Sequence, residues 1–134
     1  MKSTREEDRR DAEMKESDSL SVQSMDFAVE ILALVKRLQE QREFIVSYQI
    51  GKSGTSIGAN IREAQYAHSR ADFIAKMQIA LKESNETDYW LELLHRAGYL
   101  DEAQFHSLHS LCSSIRIMLI RSLQTAKKNM ETDH

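Results

Sequence analysis

Proline is absent from this sequence, glycine occurs four times and cysteine once. Without proline and with so little glycine, the punctuation of hairpins and β-meanders is missing, which argues against an all-β fold. A lone Cys112 excludes an intrachain disulfide and any zinc site built from four cysteines, and within its apolar stretch it reads as a small core residue. Aromatic residues are only 7% of the chain. No uninterrupted apolar run approaches the roughly 18 residues that would span a bilayer. The N-terminus is densely charged rather than a basic cap on an apolar run, so no signal peptide is read and no membrane partner is expected. A cytoplasmic protein is the expectation. Basic excess is lacking too: 18 Lys and Arg face 21 Asp and Glu, which is not the footprint of a general nucleic-acid binder.

What is present is helical. Ala, Leu, Ile, Glu, Gln, Lys and Arg dominate, and 134 residues suffice for one domain with a real core. Residues 1–19 carry five basic and seven acidic side chains, with Ala12 and two methionines as their only apolar residues. Such a segment cannot offset its ordering entropy by burial, so it reads as a flexible arm or a frayed helical extension carrying Glu/Arg pairs. The domain proper is expected over 20–130, with a disordered tail at 131–134.

Four helices are expected within it. Helix 1 begins at Ser21 or Ser24, the latter a plausible N-cap, and runs to Gln41 on a stripe of Phe27, Ile31, Leu34 and Leu38. Helix 2 is expected over 44–67, straight through Gly51, Gly54 and Gly58, because Ile50, Ile57, Ile61 and Ala64 hold helical phase across them. Each glycine costs about 1 kcal/mol relative to alanine in a helix. Gly54 and Gly58 are four apart, share a face, and would let another helix approach closely. Helix 3 starts at a capping-box-like Ser69–Asp72 and ends at Gly98; Phe73, Met77, Ala80, Leu81, Ser84, Leu91 and Leu94 fall in phase. Helix 4 starts at Asp101 with Gln104 three residues on, and runs to about Asn129 on Phe105, Leu108, Cys112, Ile115, Leu119, Ser122 and Ala126. Short connections make this an all-α, antiparallel up-and-down four-helix bundle.

Helices 3 and 4 carry more apolar surface than one stripe each. Ile79 and Trp90 lie off the helix 3 stripe, and Ile117 and Ile120 off that of helix 4, so these four are candidate contacts between copies.

Chemistry is sparse. Gly51-Lys52-Ser53 has the end of a phosphate-binding loop, but that pattern needs glycine where Val46 stands, and no βαβ unit surrounds it. Glu92 and His95 have the spacing of a di-iron ligand pair, yet no second such pair occurs. His106 and His109, near Asp101 and Glu102, are too few for a metal site, and an exposed helix face is the simpler reading. No nucleophile elbow is present, so no enzyme, cofactor or metal is expected. The run Ser84-Asn85-Glu86-Thr87-Asp88 interrupts helix 3 and reads as a buried hydrogen-bonded layer fixing helix register, with a ligand-binding layer as the sharper alternative.

The stretch Gly54-Thr-Ser-Ile-Gly-Ala-Asn-Ile-Arg-Glu-Ala64, then Ala71-Asp-Phe-Ile-Ala-Lys-Met-Gln-Ile-Ala-Leu81, resembles the four-helix-bundle family of 23S rRNA intervening-sequence proteins. Lys82 to Leu91 and Ala97 to Leu100 extend the resemblance, which covers about residues 22–128. It implies small antiparallel bundles assembling into homopentameric rings or barrels, with no established catalytic residues. It also implies kinship with the accessory protein of diversity-generating retroelements, which works with a reverse transcriptase.

Two function classes therefore stand at this point. One is a non-enzymatic homo-oligomeric scaffold or interaction protein whose partner is unknown. The other is an RNA- or DNA-binding accessory protein. For the second, the candidate contacts are Lys52 and Arg62 on helix 2, and Arg116, Arg121, Lys127 and Lys128 on helix 4. A pentamer multiplies the formal charge of −3 fivefold, so only segregated basic rings could bind phosphate.

Overall fold

Where each helix starts and stops follows from a few polar atoms. The computed structural model describes residues 2–132, with side chains described over 4–131. Helix α1 spans Lys2–Glu40, α2 Ile45–Gln65, α3 Arg70–Arg96 and α4 Glu102–Thr132. Glu43 opens α2: its carboxylate accepts from the backbone N–H of Val46 and Ser47, each at 2.9 Å, where the helix dipole favours a negative charge. The Ser69 hydroxyl opens α3 by accepting from Asp72 N–H at 3.1 Å. At α4, Asp101 and Gln104 cap each other reciprocally: Gln104 N–H donates to Asp101 Oδ1 and Asp101 N–H to Gln104 Oε1. Beyond the end of α3, Gly98 sits at φ +86°, a left-handed conformation that glycine adopts without strain.

Packing contacts join α1 to α2, α2 to α3, α3 to α4 and α4 back to α1, with none across either diagonal among the described residues. This is the expected up-and-down bundle. Its core includes Leu20, Phe27, Ile31, Leu34 and Leu38 of α1, Ile50, Ile57 and Ile61 of α2, Met77, Leu91 and Leu94 of α3, and Ile115 and Leu119 of α4, all at most 1% exposed.

Helix α2 does run unbroken through its glycines, and α1 is the reason for them. A Cβ at Gly54 would stand 2.9 Å from Ile31 Cγ1 and Cγ2, and one at Gly58 would stand 3.1 Å from Ser24 Oγ. Helix propensity is sacrificed for close approach of two backbones.

Four expectations need correction. Helix 1 begins at Lys2 rather than at Ser21 or Ser24. The N-terminal segment takes the helical form of the two expected, carrying a Glu6–Arg10 pair at 3.1 Å. It is tied to the bundle by Gln65 donating to Ser17 Oγ at 3.0 Å and by Asn129 donating to Glu13. Ser24 is consequently no N-cap: it is buried in mid-helix, donates to the Ser21 carbonyl, and faces Gly58. On α4 the buried position is Leu123, with Ser122 only half-buried. Of the expected 131–134 tail, Glu131 and Thr132 belong to α4, while 133 and 134 lie outside the described residues.

Candidate interaction surfaces

The polar run in α3 resolves into two kinds of residue. Ser84 and Thr87 are fully buried. Thr87 Oγ1 donates to the Glu83 carbonyl at 2.8 Å and, 2.9 Å from Ser53 Oγ on α2, accepts from that hydroxyl. Cys112 of α4 donates weakly to the Ser84 carbonyl at 3.4 Å. These three helices are thus locked at one level by satisfied polar groups, the register reading of the sequence. Burial pushes the Cys112 thiol up to about 12, with Asp88 adding to the shift and Arg116 opposing it. That thiol is an inert packing group.

We expect Thr87→Val to cost about 1–3 kcal/mol, because it strands the buried Ser53 hydroxyl, whereas Thr87→Val with Ser53→Ala should recover most of the loss. Urea titrations of the two singles and the double check this. Additive losses would mean the pair fixes nothing.

The partly exposed side of the α3–α4 pair carries an aromatic stack. Phe105 lies between His95, with ring centroids 4.4 Å apart, and His109, at 5.2 Å. His95 Nε2 is 3.0 Å from Glu102, and His109 Nδ1 is 2.6 Å from Asp88. Glu92 pairs with Arg96 at 2.6 Å, not with His95. Each histidine thus has its own carboxylate and a shared phenyl ring. His106 is exposed and outside the stack. No group of three or more metal-ligating side chains occurs among the described residues.

A cleft of about 740 Å³ opens where α1 passes the α2–α3 turn, lined by Met14, Ser17, Tyr66, Arg70, Phe73 and Thr125 among others. On α3, partial burial first, and then the neighbouring Glu86, raises the Glu83 carboxyl above its ordinary value.

The six basic candidates fall into two separate places. Lys52 and Arg62 are exposed on α2; Arg121, Lys127 and Lys128 are exposed on α4, with Arg116 half-buried there. Helices α2 and α4 occupy opposite corners of the bundle, so the two groupings do not merge within one protomer. Glu63, which could have balanced Arg62, instead lies 3.1 Å from Lys76 of α3.

The apolar candidates also divide. Gly54 and Gly58 serve the α1–α2 contact inside the protomer. Trp90 is half-buried against the core with Tyr89 edge-on to it, and its indole N–H is buried with no partner among the described residues. Ile79, Ile117 and Ile120 face outwards, 40%, 47% and 39% exposed. A further outer stripe runs along α1, and its signal in the sequence is helical periodicity. Val22, Met25, Val29 and Leu32, at three- and four-residue spacing, lie opposite the core line of Leu20, Phe27, Ile31 and Leu34 and are all about half exposed or more.

No helix is long and apolar enough to cross a membrane among the described residues. The model of the 23S rRNA-intervening sequence protein family matches residues 19–121. No curated protein matches the chain. Among solved structures it is similar to a protein of unknown function from the S23 ribosomal protein family of Bacteroides thetaiotaomicron VPI-5482. The two are 51% identical, with a TM-score of 0.80, over 81% of this chain and 98% of that one.

Proposed function

The chain belongs to the 23S rRNA-intervening sequence protein family, and from that premise we propose that it is a non-enzymatic, self-associating four-helix scaffold or interaction protein of the cytoplasm. The supporting observation is the outer surface. The core is complete within one protomer, yet α1 presents a row of large apolar side chains on its solvent side, and α3 and α4 expose Ile79, Ile117 and Ile120. Scattered surface apolars are ordinary, but aligned rows on packed helices favour a protein partner. A second copy of the chain is the simplest such partner, and the pentamer implied by the family resemblance is the assembly we favour.

Light scattering or native mass spectrometry at micromolar concentration tests this. A pentamer is expected; a tetramer or hexamer would correct the number alone, and a monomer would remove the reading.

A second reading has one observation in its favour: every charged residue of α4 between Ala103 and Met130 is basic. RNA or DNA binding, alone or beside a reverse transcriptase, would use that face. Under the scaffold reading, structured RNA and single-stranded DNA bind weakly and release as salt rises. Tight binding that survives physiological salt and is lost in Arg121→Glu/Lys128→Glu would replace the scaffold with this second function.

A further inference from the structure

The outer face of α1 and the outer face of α4 differ in the sign of their charge. Between Lys15 and Lys36, every charged residue of α1 is acidic: Glu16, Asp18, Asp26 and Glu30. Between Glu102 and Glu131, every charged residue of α4 is basic: Arg116, Arg121, Lys127 and Lys128. Each face also carries an apolar row. Val22, Met25, Val29 and Leu32 are 62%, 49%, 59% and 57% exposed on α1, and Ile117 and Ile120 stand out on α4.

The two helices touch inside the protomer, but by other residues. Gln23 reaches Met118 Sδ at 3.2 Å and accepts from Ser114 at 3.2 Å, so the rows themselves remain outside that contact. Asp26 and Glu30 of α1 and Arg121 of α4 have no ion-pair partner among the described residues of the protomer.

We infer that the acidic-flanked apolar row of α1 docks on the basic-flanked apolar row of α4 in a second copy of this chain. The inference rests on the self-association proposed above and supplies its chemistry. Charge decides the pairing. An α1 row against an α1 row would bring Asp26 and Glu30 of both copies together, and α4 against α4 would bring Arg121 to Arg121; like charges across an interface select against such partners. Pairing α1 with α4 opposes the signs while burying both rows. Because the two faces of the contact are different patches, the contact is head-to-tail, and each added copy leaves one face of each kind open until a ring closes. Such a contact closes into a ring where the rotation between copies permits, and it does not make a simple two-fold dimer. The row on α1 spans 11 residues, roughly 16 Å of helix at about 1.5 Å per residue, and α1 extends well beyond it at both ends.

The test uses Val29→Glu and Ile117→Glu in the full chain, separately and mixed, read by light scattering and sedimentation, with circular dichroism confirming helix content. Each substitution puts a charge into one apolar row and should weaken association by about 30-fold or more, the effect of a central interface residue. Each variant alone should be monomeric. Mixed in equal amounts they should form a one-to-one dimer and stop there, because the intact α4 face of the first meets the intact α1 face of the second.

A wild-type monomer would overturn the self-association reading itself. A wild-type oligomer that persists in either variant would overturn only the present inference, as would two monomeric variants that fail to dimerise when mixed. Should a glutamate variant lose its helix content, Val29→Ser and Ile120→Ser replace it in the same scheme, since both positions are exposed in the protomer and need not disturb its core.

Discussion

Replacing Phe27 with alanine should destabilise the protein by about 3–5 kcal/mol, a large part of the roughly 5–15 kcal/mol that holds a domain of ordinary stability together. Phe27 has no exposed surface and is among the largest fully buried side chains of the core. It sits on α1 between Leu20 and Ile31, where neighbours on other helices are fixed by their own backbones and cannot close the void. The control is Phe44→Ala, which deletes the same atoms from a side chain 60% exposed at the start of α2. That variant should lose less than about 1 kcal/mol, since surface changes away from special features are small. Urea unfolding of both, at one protein concentration, separates burial from chemistry. Equal losses would mean that Phe44 is covered in solution, which would itself point to a partner at that end of the bundle.

Much of this architecture was legible because its determinants are local. Asp101 and Gln104 stand three apart and cap one another, Ser69 precedes Asp72, and Gly98 stands where a left-handed residue ends α3. The continuity of α2 through three glycines could be read because Ile50, Ile57 and Ile61 keep one phase, and periodicity outweighs a propensity loss of about 1 kcal/mol per glycine. The interior role of Ser84 followed the same way, from its place on the apolar line of α3, and that of Thr87 from the polar run that reads as a buried layer.

What stayed hidden depends on residues far apart in the chain. The helical N-terminal segment is charged and would not hold by burial, yet Glu13 meets Asn129 and Ser17 meets Gln65 across more than forty residues of sequence. Ser24 has the look of an N-cap in isolation; only the opposing Gly58 makes it a small residue for close packing. The Glu43 cap lies in what reads as a turn, because a glutamate there is not a usual capping residue. The outer row of α1 is a different case. Its spacing is plainly written, but the stronger inner stripe of Phe27, Ile31, Leu34 and Leu38 accounts for the helix without it. A helix with two apolar lines is easily read as a helix with one.

The sharpest energetic consequence of the fold lies where Gly54 meets Ile31. In an open helix Gly→Ala gains about 1 kcal/mol from propensity and a smaller unfolded-state entropy. Here the added methyl would stand 2.9 Å from both γ carbons of Ile31 and 3.3 Å from its Cβ. Ile31 is β-branched, has no exposed surface and lacks a free rotamer to retreat into, so α1 and α2 must move apart. Gly54→Ala should therefore destabilise by about 1–3 kcal/mol despite its better propensity. Ile31→Ala alone should cost about 2–5 kcal/mol through the void it leaves. In the double variant the γ carbons are gone, the new methyl enters the space they occupied, and the helix-propensity gain is released. Adding Gly54→Ala to Ile31→Ala should then be neutral or stabilising, a coupling of about 0.5–3 kcal/mol. Thermal and urea melts of the two singles and the double measure it. The sign of the Gly54→Ala effect must reverse between the two backgrounds; if it does not, the approach of α1 to α2 is not what the glycines are for.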